Sequence, residues 1–297
     1  MRRACSSSTS ASIRVHEAGG PVTIAAMPTL PISLVVITHD EAANIARCLD
    51  SVPFAADKVV VDSGSTDDTV AIARAHGARV VHQDWLGFGQ QRNAASAHAA
   101  HDWILALDAD EFLEPPLVAE LERRLPALLE GDAAVGILRR STWYMGAPMR
   151  WYRPMVGEKL ARLYRRDRAR WTDARVHESL RWEGRAETFA APFHHLHNPT
   201  LPHKQLKVLR YAELKCRDWH AKARPPRVWM APLVYLAAFL KDWLLRLAIL
   251  DGWRGFVVAH VAASYAMYKR LRYFEMHRNP DSIAQAREVL VRHGLDR

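Results

Sequence analysis

Three carboxylates crowd the end of one apolar run: Trp103-Ile104-Leu105-Ala106-Leu107 is followed at once by Asp108-Ala109-Asp110-Glu111. Like charges this close raise one another's pKa unless a cation compensates them. A divalent ion, Mg²⁺ or Mn²⁺, bridging the carboxylates and a substrate diphosphate would do so, and as a Lewis acid it would stabilise a leaving diphosphate. The same Asp-X-Asp also suits two solvated carboxylates at a strand end or helix start. Asp62, followed by Ser63-Gly64-Ser65-Thr66, could accept hydrogen bonds from a nucleobase or ribose, or could simply close a turn and cap a helix. His194, His195 and His197 cluster downstream. An imidazole there could complete a metal's shell, bind phosphate on an acceptor, or line a loop.

These side chains need elements that bring them to one edge. Ile32 to Thr38 and Lys58 to Val61 are short β-branched apolar runs, as in strands covered on both faces, and Ala78 to His82 and Trp103 to Leu107 continue the series. Helical spacing between them (Glu41 to Val52, Thr69 to His76, Gln90 to His101) gives a βαβ rhythm. That rhythm predicts an α/β fold with a mostly parallel central sheet and its ligand at the strands' carboxyl ends. A helix from Pro115 to Glu130 precedes strand-like Ala134 to Tyr144 and Lys159 to Arg166, a less regular region expected to form the acceptor side.

Composition narrows the class. A chain of 297 residues with 49% hydrophobic and 25% charged residues can bury a sizeable core and is neither disordered nor polytopic in character. A net charge of +9 favours polyanionic partners without choosing among nucleic acid, anionic lipid and phosphorylated substrate. Cys5, Cys48 and Cys216 fit no disulfide framework and point to a reducing compartment. Residues 1–28 read as a disordered tail, or as a segment preceding a start at Met27. No Gly-X-Gly-X-X-Gly or Gly-Lys-Ser/Thr loop is present, which counts against dinucleotide oxidoreductases and ATPases.

The ordered set Thr38-His39-Asp40-Glu41, Asp62-Ser63-Gly64-Ser65-Thr66-Asp67, Gly87-Phe88-Gly89-Gln90-Gln91-Arg92-Asn93 and Asp108-Ala109-Asp110-Glu111 resembles family 2 of the glycosyltransferases, over roughly Ile32 to Leu201. The resemblance implies a GT-A domain over residues 29–203 and a nucleotide-sugar donor. Thr38 and Glu41 would lie near the nucleoside, Asp62 on the base, Arg92 on the nucleotide, Asp108 at the ribose and metal, and Asp110 on the metal itself. An inverting transfer needs a base for the acceptor hydroxyl. Glu178, in Val176-His177-Glu178, resembles the corresponding segment of a subfamily that builds the inner core of lipopolysaccharide; Asp173 is the second choice. Glu178 could also be a surface carboxylate paired with an arginine. By position in the family pattern, His197 is the histidine expected on the metal.

Residues 204–297 read as helical. Val228 to Leu250 is about long enough to span a bilayer, but Lys241, Asp242 and Arg246 would be costly in hydrocarbon. With Trp229, Trp243, Trp253, Tyr265, Tyr268 and Tyr273 among Lys269, Arg270 and Arg272, the region reads as amphipathic helices lying on an anionic membrane, or as a helical pair packed on the catalytic domain. The expected function is therefore transfer of a hexose, glucose from UDP-glucose first among them, to a lipid-linked lipopolysaccharide core at the cytoplasmic face of the bacterial inner membrane. A polyprenyl-phosphate acceptor and a non-catalytic nucleotide-sugar sensor are the alternatives. No nucleic-acid-binding signature accompanies the charge.

Overall fold

The computed structural model describes residues 29–173, 178–196, 200–222 and 225–292. The first half is the expected alternation: β1 (Leu30–Thr38), α1 (Ile45–Asp50), β2 (Ala55–Asp62), α2 (Thr69–Ala75), β3 (Arg79–His82), α3 (Phe88–Ala97) and β4 (Trp103–Asp108). The four strands lie in the order β3-β2-β1-β4 and all run parallel. Leu34, Val36, Val60, Leu105 and Leu107 pack one face against Ile45 and Leu49 of α1. Val35, Val59, Val61, Ile104 and Ala106 pack the other against Ala95 of α3 and Tyr164. Burial on both faces is why these strands are apolar throughout instead of alternating.

Two helices start or stop elsewhere than the spacing predicts. α1 begins at Ile45, not Glu41, because Asp40 has φ +54° and the Glu41 and Ala42 amides donate to Thr69 Oγ1 and Asp67 Oδ2 instead of entering a helix. α3 ends at Ala97, and the chain beyond it is drawn to the sheet, the Ala100 amide donating to Asp57 and the His101 amide to Ser33.

The second half comprises β5 (Glu111–Leu113), α4 (Pro115–Glu130), β6 (Ala133–Tyr144), β7 (Ala147–Pro148), a 3₁₀ turn at Arg153–Met155, β8 (Val156–Arg165), β9 (Ala169–Trp171), β10 (Leu180–Trp182) and β11 (Arg185–Leu196). α4 starts on prolines and buries Leu117, Leu121, Leu125 and Leu128, a stripe at helical spacing. β8 pairs antiparallel with both β4 and β6, so the sheet continues β4-β8-β6-β11-β5 and becomes mixed. β9 and β10 form a separate two-stranded ribbon.

α5 (Leu201–Ala221), α6 (Ala231–Leu240), α7 (Gly252–Arg278) and α8 (Ser282–Arg292) complete the chain. The Asp251 carboxylate accepts the backbone amides of Arg150, Trp151 and Tyr152 at 2.8, 3.1 and 2.7 Å. Buried Asp242 accepts from Tyr152 Oη and from Arg246. Gly255 admits the Ala248 carbonyl, which would lie 1.6 Å from an added Cβ. The region is thus latched to the β7–β8 connection, and Asp242, Arg246 and Trp243 face protein on that side. Two expected membrane-facing residues are corrected. Tyr273 is buried with Cys216 and Met276, and Arg272 is buried on Glu213 at 2.8 Å, so neither reaches a head group. The opposite side stays apolar and exposed: Trp229 68%, Leu233 59%, Leu236 53% and Leu245 71%. Among the described residues Val228–Leu245 is long and apolar enough to cross a membrane by length and composition.

Candidate active site

The carboxyl ends of β1, β2 and β4 bring Thr38, Asp62 and Asp108 to one edge, with Thr38 opposite Asp62 and Ile37 opposite Asp108 in register. Two loops there are interlocked. Asp40 Oδ1 accepts the Thr66 amide at 2.7 Å, and the Glu41 amide donates to Thr69 Oγ1 at 2.8 Å. The Thr66 amide holds the exposed Asp40 carboxyl below its ordinary range. Asp62 turns into its own loop, accepting the Gly64 and Ser65 amides at 2.9 and 3.0 Å together with the Ser65 hydroxyl. Gly64, at φ +90°, supplies the left-handed residue this turn requires. Glu41 accepts from Asn44 at 2.7 Å, and burial pushes its carboxyl up. Thr38 Oγ1 is buried without a hydrogen-bond partner among the described residues.

The centre of the site is ionic. Arg92, on α3 and nearly buried, donates from Nη2 to Asp108 Oδ1 at 2.6 Å and from Nη1 to Glu178 Oε1 at 2.6 Å. Arg162, on β8, donates to Asp108 Oδ2 at 2.9 Å and to the wholly buried Glu111. Two buried guanidiniums, neither of them in the Asp-Ala-Asp-Glu run, compensate Asp108, whereas burial pushes the Glu111 carboxyl up despite its pairing with Arg162. Burial opposes ionisation of Asp108, but Arg92 and Arg162 together outweigh it and hold the carboxyl well below the usual range. Arg162 keeps its proton because Glu111 and Asp108 overcome the penalty of burial. Sequence reasoning missed Arg162; its only local sign is a charge on one of the sheet's inner strands.

Glu178 is brought in by a close approach of α3 to the chain between β9 and β10. Asn93 pairs with the Trp171 backbone in both directions, at 2.9 and 3.0 Å. At Gly89 an added Cβ would lie 1.9 Å from the Thr172 carbonyl oxygen and 3.5 Å from Glu178 Cβ. The glycine of the Gly-Phe-Gly-Gln segment is therefore a contact site, and the buried Gln91 anchors the preceding loop to Ser63, Gln83 and Leu86. Arg92 lies over the Trp171 ring at 4.8 Å. Together Arg92, Asp108, Arg140, Arg162, Glu178 and Trp182 help line a cavity of about 350 Å³. Asp173, the alternative base, is exposed and is not among the residues lining that cavity.

Asp110 lies with His195, the imidazole Nε2 being 3.1 Å from Oδ2. His197, the expected metal histidine, lies outside the described residues, as does the 174–177 segment before Glu178. His194 has a packing role: Trp143 Nε1 donates to its Nδ1 at 2.8 Å, its Nε2 faces Glu114 at 3.1 Å, it stacks on Phe112, and burial lowers its pKa. No cluster of three or more metal-ligating side chains is present among the described residues. Asp110 nevertheless offers the carboxylate that a Mg²⁺- or Mn²⁺-type ion takes before completing its shell with phosphate oxygens and water, while the His195 imidazole beside it suits such an ion less well than a carboxylate.

An acidic carboxyl edge on a parallel half-sheet, joined to a cavity on its mixed half, is the α/β arrangement that the resemblance to a GT-A domain implied. Residues 33–180 match the model "Glycosyl transferase family 2", and the chain belongs to that family. It is 51% identical over 92 residues to an uncharacterized glycosyltransferase of Rickettsia felis, an alignment covering 31% of this chain and only 32% of that protein. It is 27% identical over 266 residues to the lipopolysaccharide core biosynthesis glycosyltransferase LpsC of Rhizobium meliloti, covering 84% of this chain and 94% of that one. Among solved structures it is similar to glucosyl-3-phosphoglycerate synthase of Mycobacterium tuberculosis in complex with Mn²⁺, UDP and glucosyl-3-phosphoglycerate, at 28% identity over 40% of this chain and 45% of that chain, with a TM-score of 0.32.

Proposed function

We propose that the protein is an inverting hexosyltransferase that moves glucose from UDP-glucose to the lipid-linked inner core of lipopolysaccharide. It would work at the cytoplasmic face of the bacterial inner membrane. The observation that carries this reading is the Arg92 bridge, which sets the candidate base Glu178 one guanidinium away from the donor-end carboxylate Asp108. Similarity to LpsC over most of both chains supports the acceptor class. The exposed apolar side of Val228–Leu245, with Trp253 and Phe256, supports contact with a membrane surface. Residues 29–203 form the catalytic domain in this reading and residues 204–297 the membrane-associated part.

Thr38, Glu41 and Asp62 line the nucleoside end, and Arg92 and Asp108 sit between nucleotide and sugar. A divalent ion held by Asp110, with His195 or His197, would supply Lewis-acid stabilisation of the leaving diphosphate. Glu178 takes the proton of the acceptor hydroxyl as that oxygen attacks the anomeric carbon, and the bond to the diphosphate oxygen breaks. For Glu178 to act, Arg92 must share or release it, which entry of a donor diphosphate between Arg92 and Asp108 would favour. The test is a panel of nucleotide sugars with Mg²⁺ or Mn²⁺ and a lipid A–core acceptor, the product anomer being read by NMR. Retention of the donor's anomeric configuration, or no transfer from any UDP-hexose, would reject the assignment.

A further inference from the structure

A second cavity lies far along the chain from the acidic edge, among the C-terminal helices. Its volume is about 250 Å³ and its walls are Trp219, Pro225, Arg227, Met230, Arg270 and Tyr273. Apolar surface dominates, yet two guanidiniums face it. The acids nearby are already engaged: Glu213 holds Arg272, and Asp218 holds Lys215 and Lys222. Among the described residues neither Arg227 nor Arg270 has an ion pair, and Arg270 Nε is buried without a hydrogen-bond partner. The Arg270 guanidinium lies over the Trp219 indole, 5.2 Å from its centroid, and Tyr273 Oη donates to the Trp219 carbonyl at 3.1 Å. Lys269 Nζ stands 5.7 Å from the same ring.

A guanidinium that meets an aromatic face keeps its N–H donors for an anion, and its fork of donors suits bidentate phosphate oxygens. The enclosed Nε of Arg270 is a buried donor that an anion's oxygen would complete, and the exposed Arg227 lies on the same wall within reach of solvent anions. The hollow is also continuous with an unpartnered apolar face, since Met230 adjoins exposed Trp229 and caps α6, which presents Leu233, Leu236 and Leu240 outward. Anion and hydrocarbon are therefore wanted side by side, which free phosphate does not provide.

We propose that this cavity is a head-group site for a phosphomonoester-bearing membrane lipid, with Arg227 and Arg270 on the phosphate and the α6 face against the acyl chains. The site stands apart from the transfer reaction and shares with the proposed function only the membrane contact.

The test is co-sedimentation of the full chain with phosphatidylcholine vesicles, with and without phosphatidic acid, at physiological salt. A double variant Arg227→Gln/Arg270→Gln is set against Lys241→Gln/Arg278→Gln, which removes the same charge outside the hollow. The first pair should lose at least about tenfold more affinity for phosphatidic acid vesicles than the control pair, with neutral-vesicle binding unchanged. Equal losses in both pairs would mean diffuse attraction and overturn the proposal. Displacement by millimolar inorganic phosphate would assign the site to a soluble anion instead. Absence of all vesicle binding by the parent would sink the membrane contact as well. A lipid-free dimer broken by Leu236→Glu, without vesicle binding, would give the face to a second copy of the chain.

Discussion

Arg92 Nη1 and Glu178 Oε1 are 2.6 Å apart across 86 residues of sequence, and the other arm of the same guanidinium is on Asp108. One side chain thus couples a carboxylate on the parallel half of the sheet to one carried by the connection beyond it. A group with this double attachment positions whatever it touches, and its environment is fixed from both sides by the Trp171 ring and by Arg162 across Asp108.

If Glu178 is the base, Glu178→Gln keeps the hydrogen bond to Arg92 through its amide oxygen but cannot take a proton. Donor binding by calorimetry should stay within about threefold of the parent, while turnover falls by roughly 10²–10⁴. Parent-like turnover in the variant would move the role to another group.

Gly89→Ala should act at the same place by displacement. The new Cβ would collide with the Thr172 carbonyl, so the chain leading to Glu178 must shift. Because a displacement of about 1 Å can cost on the order of 100-fold in rate, kcat should fall by that order with donor affinity less affected. An unchanged kcat would show that this approach has slack.

Arg162→Met leaves Asp108 with a single cation and strips Glu111 of its buried partner. Removing one member of a buried ionic cluster costs about 3–5 kcal/mol, so the urea midpoint should drop sharply, with Arg162→Lys intermediate. A parent-like midpoint for the methionine variant would contradict the compensation assigned to Arg162.

Asp57 ties the sheet together away from the site, accepting Ser33 Oγ at 2.7 Å, the Ala100 amide at 2.9 Å and Arg79. Burial opposes its ionisation, but these donors prevail and its carboxyl is lowered when folded. A lowered folded value contributes stability that is complete above the unfolded pKa of about 3.9 and is lost as pH falls through the folded one. The stability difference between parent and Asp57→Asn should therefore be constant from about pH 7 to 5 and shrink below about pH 4. A gap that widened on acidification would reverse the assigned sign.

Metal removal gives a separate check on Asp110. With EDTA, and in Asp110→Ala, transfer should drop by at least about 100-fold, and excess Mn²⁺ should rescue only the chelated parent. Full activity in EDTA would show that the arginine pair alone serves the diphosphate.

Local signals were enough for the parallel half of the molecule. Continuous β-branched runs, turn residues after each and helical spacing between them are properties of neighbouring residues, so β1 to β4 and the carboxylates at their ends were legible without coordinates. The identity of the compensating cations was not. Arg162 reaches Asp108, 54 residues earlier in the chain, only because β8 inserts antiparallel beside β4, a pairing that no spacing in the motif encodes. His195 and not His194 faces Asp110 because successive residues of β11 point to opposite sides of the sheet, and which side is set by its register with Glu111 and Phe112 of β5. The C-terminal helices show the same division. Their apolar content was visible in sequence, but the face turned to protein and the face left open were decided by where Asp251 and Asp242 found their donors.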